Sequence, residues 1–221
     1  MKRVTALLLA AMMIITTGLI TPAMAAEDDV PETYSNAYVV MDAKTGQVLL
    51  QKNMYEKEYP ASITKILTTA LGLTYAKPED RITVSQETVS DVWKWGETTH
   101  LALEPGEIIT LKDALYGAMV ESANDCANAI AQAVSGSLTD FAELMNQQVA
   151  ALGLSDTHFT NAHGLPDKDH YTTAYDMARI TRWAMTVPGF SELFGATSYT
   201  MQPTNKQEQE RLFGTDNCML V

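Results

Sequence analysis

The chain has 221 residues, with 15 Lys and Arg against 27 Asp and Glu and a formal net charge of −12. So acidic a chain repels phosphate backbones and anionic headgroups, which argues against nucleic acid and anionic lipid as partners. The length suits one good-sized domain after an N-terminal segment is set aside.

That segment comes first. "MKRVTALLLAAMMIITTGLITPAMAA" places Lys2 and Arg3 before an apolar run from Val4 to about Ile20, and closes on Ala23-Met24-Ala25. A charged, then apolar, then small-x-small order is that of a secretory signal peptide, so residues 1–25 are expected to be removed after Ala25. The run is a little long for such a peptide and short for a comfortable membrane span, which leaves an uncleaved anchor as the alternative. No later stretch is long and apolar enough to span, so the mature chain is expected to be soluble and extracytoplasmic, either secreted or periplasmic. Residues 26–36 are polar, hold Pro31 and read as a flexible lead-in to a domain over residues 37–221.

The domain opens with "AYVVMDAKTGQVLLQKN", two β-type runs at residues 37–41 and 47–51 around a turn holding Gly46, which is a hairpin signal. From Ser62 the apolar period becomes 3.6. Ile63, Ile66, Leu67, Ala70 and Leu71 fall on one arc, with Ser62, Lys65 and Thr69 together within roughly 60° beside it. Pro60 suits a helix start just ahead. Residues 82–103 hold short β-type pieces and turns, including "EPGE", and Trp93 and Trp95 in this stretch either line a cleft or, as is commoner, serve as packing residues.

Four helical signals follow. "TLKDALYGAMVES" has Thr110 as N-cap with Asp113 three residues on, and it halts near Ser122. "NDCANAIAQAVSG" forms a second helix that stops by Gly136. "TDFAELMNQQVAALGL" puts Phe141, Leu144, Met145, Val149 and Leu152 on one face, with Gly153 as its stop. "TTAYDMARITRWAM" repeats the pattern, with Thr173 and Asp176 as a capping pair. The whole reads as an α+β chain, a short hairpin followed mainly by helices. Secretion permits a disulfide, but Cys126 lies inside an alanine-rich helix and Cys218 near the chain end, so a buried, unpaired Cys126 is expected, and the two make no metal motif.

"PASITK" sets Ser62 and Lys65 one helical turn apart beside a buried face. Serine is a common N-cap and a first-turn lysine can snorkel to water, so the pair alone says little. A chemical role needs a base to take the hydroxyl proton, and a lysine serves only when burial brings its pKa down from about 10.4. The i, i+3 spacing on a core-facing helix supplies contact and desolvation together. In "ESAND", Ser122 and Asn124 stand at the break between two helices, where they are either ordinary caps or a hydroxyl and an amide aimed into the same cleft.

"PASITK", "SAND" and "FTNAHGLPDKDHYTTAYDMA" together resemble the serine-type D-alanyl-D-alanine carboxypeptidases, the low-molecular-weight penicillin-binding proteins. The resemblance runs from about Tyr38 to about Met201. It implies the penicillin-binding/β-lactamase-like transpeptidase fold, with a helical subdomain and the N-terminal strands of an antiparallel sheet. It also implies Ser62 as acyl-enzyme nucleophile, Lys65 as its base, Ser122 as proton relay and Asn124 as substrate-binding amide. The implied substrate is a peptidoglycan stem peptide ending in D-Ala-D-Ala, with β-lactams as covalent inhibitors and no cofactor.

Two departures bear on that reading. The middle motif is Ser-Ala-Asn where class A β-lactamases have Ser-Asp-Asn, and no later glutamate is placed to activate a deacylating water, so a carboxypeptidase is favoured over a β-lactamase. The family's Lys-Thr-Gly follows Ser-x-Asn on a strand that carries a cation for the substrate carboxylate and one oxyanion-hole N–H. Here the one such tripeptide, Lys44-Thr45-Gly46, precedes Ser62 in a hairpin turn and reads as turn chemistry. The third motif is therefore expected beyond Val221, leaving the sheet incomplete and the activity of the chain in question. That departure motivates a rival reading, a non-catalytic binder or sensor of wall peptides. A zinc hydrolase drawing on His158, His163 and His170 is disfavoured, because the spacings fit no H-E-x-x-H helix pair.

Overall fold

The computed structural model describes residues 33–215, and the residues from Tyr34 on belong to one unit. The expected signal peptide, most of the lead-in and Cys218 lie outside the described residues.

The first hairpin forms as its alternation predicts. Strand β1 (Tyr38–Met41) pairs antiparallel with β2 (Val48–Lys52), Tyr38 opposite Lys52, with a register shift after Val40. Lys44-Thr45-Gly46 is its turn. Asp42 Oδ1 accepts the N–H groups of Lys44 (3.1 Å) and Thr45 (2.7 Å), and Gly46 takes φ +76°. Arg182 then donates to the carbonyls of Ala43 and Lys44, both at 2.9 Å. An Asx-type turn with a positive-φ glycine is what this tripeptide builds here.

Helix α1 (Lys65–Tyr75) begins later than the periodicity suggested. Residues Ala61–Thr64 form a 3-10 turn, so Ser62 lies on that turn and not on the α-helix, and Ile63 is exposed. The rest of the arc holds, with Leu67, Ala70 and Leu71 fully buried. Strand β3 (Arg81–Thr83) leads to a helix that the sequence did not announce, α2 (Gln86–Trp93), N-capped by Ser85. The expectation of β-type pieces throughout residues 82–103 is corrected there. Strand β4 (Ile108–Thr110) returns antiparallel to β3.

The next helices stand where their caps place them: α3 (Leu111–Val120), α4 (Asn124–Ser135), α5 (Leu138–Ala151) and α6 (Ala174–Ala184). Thr110 and Asp113 form a reciprocal capping box, and Gly136 closes α4 in the left-handed conformation. Every residue of α4 from Asn124 to Ala131 is buried, which makes it the inner helix of the core, packed on α1, α3 and α5. A short helix α7 (Phe190–Phe194) and a hairpin of β5 (Ser198–Met201) with β6 (Arg211–Gly214) complete the unit. The described residues thus carry three separate two-stranded sheets, more strand than one hairpin and helices would give. Cys126 is free and fully buried, as expected.

The close approach of α1, α3 and α4 needs small residues. A Cβ at Gly72 would lie 2.9 Å from Ile130 Cγ2, and one at Gly117 would lie 2.5 Å from Cys126 Sγ. That contact brings the start of α1 and the α3–α4 break to the same side of the core.

Candidate active site

Lys65 is the first residue of α1 and is only 2% exposed. Its Nζ lies 3.2 Å from Ser62 Oγ, 3.4 Å from Ser122 Oγ and 2.8 Å from the carbonyl oxygen of His163. Burial lowers its pKa from 10.5 to about 7, opposed by the charge of Asp125. The Cys126 thiol nearby is pushed up by its own burial and stays neutral. An amine that is half deprotonated near neutral pH, touching two hydroxyls, can exchange protons with either.

Two strained backbones aim those hydroxyls. Ala61, beside Ser62, has φ +49°, and Ser122 itself has φ +60°, conformations that cost non-glycine residues on the order of 1–3 kcal/mol. A loop after α5 holds the first of them in place. Gly164, at φ +91°, packs its Cα on the carbonyl of Ala61 so closely that a Cβ would collide with it. Thr68 donates to Ala162 O at 2.7 Å, stitching the same loop to α1.

Ser62 and Asn124 open into a cleft of about 810 Å³, lined also by Tyr59, Trp95, Thr98 and Leu165. Asn124 begins α4 and its main-chain N–H donates to Thr99 O at 2.9 Å. The wall that includes Thr98 and Thr99 is pinned by Asp125, whose buried carboxylate accepts from the N–H groups of Leu101 (3.1 Å) and Leu103 (3.0 Å). Thr98 Oγ1 is the one buried side-chain polar atom without a hydrogen-bond partner among the described residues. Buried hydroxyls are ordinarily paired, so a group entering the cleft is its natural complement.

The structure therefore brings Ser62 and Ser122 each within reach of the Lys65 amine and sets Asn124 in the cleft onto which Ser62 opens. It gives Lys65 the His163 carbonyl as its third partner. Trp95 is 43% exposed and lines the cleft, so of its two readings the cleft-lining one holds and the commoner packing one does not. Residue-level chemistry in the sequence did not mark the His163 carbonyl or Gly164, because each acts through a contact with residues far away in the chain. The other histidines are engaged separately. His170 Nε2 lies 2.9 Å from Thr64 Oγ1, and burial holds its pKa down at about 4, while His158 Nδ1 lies 2.6 Å from Asp169 O.

Comparison with known proteins fits this geometry. A family model described as D-alanyl-D-alanine carboxypeptidase matches residues 23–217. The D-alanyl-D-alanine carboxypeptidase DacF of Bacillus subtilis is 33% identical over 218 residues, which cover 94% of this chain and 54% of that protein. Penicillin binding protein 6B from Escherichia coli is 29% identical with a TM-score of 0.76, over 86% of this chain and 60% of that one. Penicillin binding protein 5 from Haemophilus influenzae is 28% identical with a TM-score of 0.76, over 86% and 55%. The chain spans about half the length of the curated relatives it matches.

Proposed function

This chain belongs to the D-alanyl-D-alanine carboxypeptidase family, and from that premise we propose that it removes the terminal D-alanine from peptidoglycan stem peptides through an acyl-enzyme on Ser62. One observation carries the proposal: the Lys65 amine, buried and with a pKa of about 7, lies 3.2 Å from one hydroxyl and 3.4 Å from another. A base poised near the working pH is the condition for effective proton transfer.

In the neutral state Lys65 Nζ takes the proton of Ser62 as Oγ attacks the carbonyl carbon of the penultimate D-alanine. The tetrahedral intermediate collapses by breaking the C–N bond. The proton held on Lys65 passes through Ser122 to the departing nitrogen, and D-alanine leaves with its amine complete. Water then attacks the ester, Lys65 accepts its proton, and the proton returns to Ser62 Oγ as the shortened peptide departs. Lys65 and Ser122 relay each proton between Ser62, the leaving nitrogen and water, so the reaction as written uses no metal or organic cofactor.

In this reading Asn124 and Thr98, two of the polar residues lining the cleft, hold the stem peptide, and the exposed Tyr59 and Trp95 flank it. A β-lactam enters the same chemistry, its ring amide acylating Ser62 while the leaving nitrogen stays tethered. The N-terminal order of charged, apolar and small residues supports an extracytoplasmic site of action. Among the described residues no helix is long and apolar enough to cross a membrane.

The test is release of D-alanine from a diacetylated L-Lys-D-Ala-D-Ala peptide. The wild type is expected to release it, with the rate rising with pH through about 7. Ser62→Ala is expected to abolish release. Equal release by Ser62→Ala, or tight peptide binding with no release by the wild type, would overturn the reading.

A further inference from the structure

We propose that Asp91 is a positioning residue for the Lys65 base, fixing through His163 the main-chain carbonyl that orients the amine. The proposal rests on the reading of Lys65 as the base.

A neutral amine has two N–H groups and one lone pair. Lys65 Nζ has three neighbours, the His163 carbonyl at 2.8 Å and two hydroxyls at 3.2 and 3.4 Å. Each hydroxyl can donate or accept, but a carbonyl only accepts, so one N–H must go to His163 O. With that direction taken, the amine can turn its lone pair to the Ser62 hydroxyl and its other N–H to Ser122. Where His163 O stands therefore decides whether the base faces its proton.

The ring of His163 shows what holds that carbonyl. The N–H of Leu165 donates to His163 Nδ1 at 3.0 Å. A nitrogen that accepts carries no proton, so the ring proton sits on Nε2, which donates to Asp91 Oδ2 at 2.9 Å. Burial keeps the imidazole neutral, with Asp91 opposing, and the hydrogen bond from His163 holds the Asp91 carboxyl well below the usual carboxylate range. Asp91 is itself held from two sides. Asn128 of α4 donates to its Oδ2 at 3.1 Å, and Lys94 lies 2.6 Å from its Oδ1. The charged and titratable groups around this pair and the amine are Asp91 from α2, Lys94 at its C-terminal cap, Asp125 and Cys126 from α4, and His170 from the loop.

Two substitutions separate geometry from charge. Asp91→Asn loses the charge but keeps an oxygen that accepts from His163 and Asn128, while its amide nitrogen faces the largely exposed Lys94, which can swing away. Asp91→Ala loses both. On the full chain, nitrogen NMR is expected to show His163 as the Nε2–H tautomer in the wild type and Asp91→Asn, and a tautomer mixture in Asp91→Ala. The Lys65 Nζ titration midpoint is expected to stay near 7 in Asp91→Asn and to rise in Asp91→Ala, as water reaches the amine. The penicillin acylation rate constant at neutral pH is expected to fall about 10²-fold in Asp91→Ala, the scale of a misplaced reacting group, with noncovalent affinity unchanged, and to stay within a few-fold of wild type in Asp91→Asn. A merely structural role would lower the fraction of chain that reacts and leave the rate constant and the Lys65 midpoint of the folded fraction unmoved. The proposal is overturned if the two variants behave alike, or if the Lys65 midpoint is the same in Asp91→Ala as in the wild type. Absence of wild-type acylation would instead remove the carboxypeptidase reading, and the two NMR readouts would still decide the role of Asp91.

Discussion

Lys65 is held where its ordinary charged state is disfavoured, and that has a signature in stability as well as in reactivity. Its pKa is 10.5 in the unfolded chain and about 7 in the fold. Between those values the unfolded state binds more protons, so stability rises with pH from about 7 to 10.5. The contribution is fully present above the unfolded value and lost as pH falls toward the folded one. Lys65→Met has no such dependence, so the wild type should gain on it in Tm as pH is raised from 7 to 10, and thermal melts at stepped pH check this. Constant separation would mean that the amine is solvated and unshifted. Gly164 is the second residue to probe. Its φ of +91° and its contact with the Ala61 carbonyl leave no room for a side chain. Gly164→Ala should destabilise the fold by more than about 1 kcal/mol and slow penicillin acylation in the chain that remains folded, because Ser62 follows Ala61 directly.

At the scale of elements, local chemistry decides which parts the sequence disclosed. The Thr110–Asp113 capping box, the positive-φ Gly136 and Gly153, and the Phe141–Met145–Val149 face mark helices through contacts within a few residues. Thr110→Ala should cost about 1 kcal/mol in denaturant unfolding and leave the acylation rate constant unchanged. Helix α2 escaped because it has eight residues, and Thr88, Val89 and Val92, the residues it buries, are β-branched and read equally well as strand. The start of α1 was misplaced for a different reason. A 3.6-residue period extends smoothly back through Ile63 and Ser62, but the loop carrying Gly164 holds Ala61 left-handed, so the chain enters α1 through a 3-10 turn. Nothing within residues 60–65 reports a neighbour about 100 positions away.

Across the described unit, the site is an assembly of distant segments: the turn at Ser62, the wall at Thr98, the break at Ser122 and the loop at His163. Residue types and spacing exposed Ser62 with Lys65 and suggested Ser122 and Asn124. The likeness to the carboxypeptidases joined them, and the third partner of the lysine emerged only in three dimensions. The last hairpin is tied to the body by a buried ion pair. Arg211 Nη1 of β6 lies 2.7 Å from Glu107 Oε1, and Glu107 is fully buried. Burial would raise the Glu107 pKa, but the hydrogen bonds from Arg211, the Glu104 N–H and Thr204 together with the Arg211 charge outweigh it, and the net shift is downward. Its stabilising effect is thus present above the unfolded carboxyl value and lost as pH falls below it. Arg211→Met strands the carboxylate and should cost about 3–5 kcal/mol at neutral pH. The deficit should shrink in acid, where Glu107 can protonate; urea melts at pH 7 and pH 4 distinguish this from a pH-independent packing loss.

The measurement that bears most directly on the whole reading is covalent labelling of the chain by a fluorescent penicillin, with the adduct mapped by mass spectrometry and Ser62→Ala run beside it. The expected result is an adduct on Ser62 in the wild type and none in the variant. An equal adduct on both, or no adduct on a folded wild-type chain, would contradict the assignment of Ser62 and Lys65 as a working nucleophile and base.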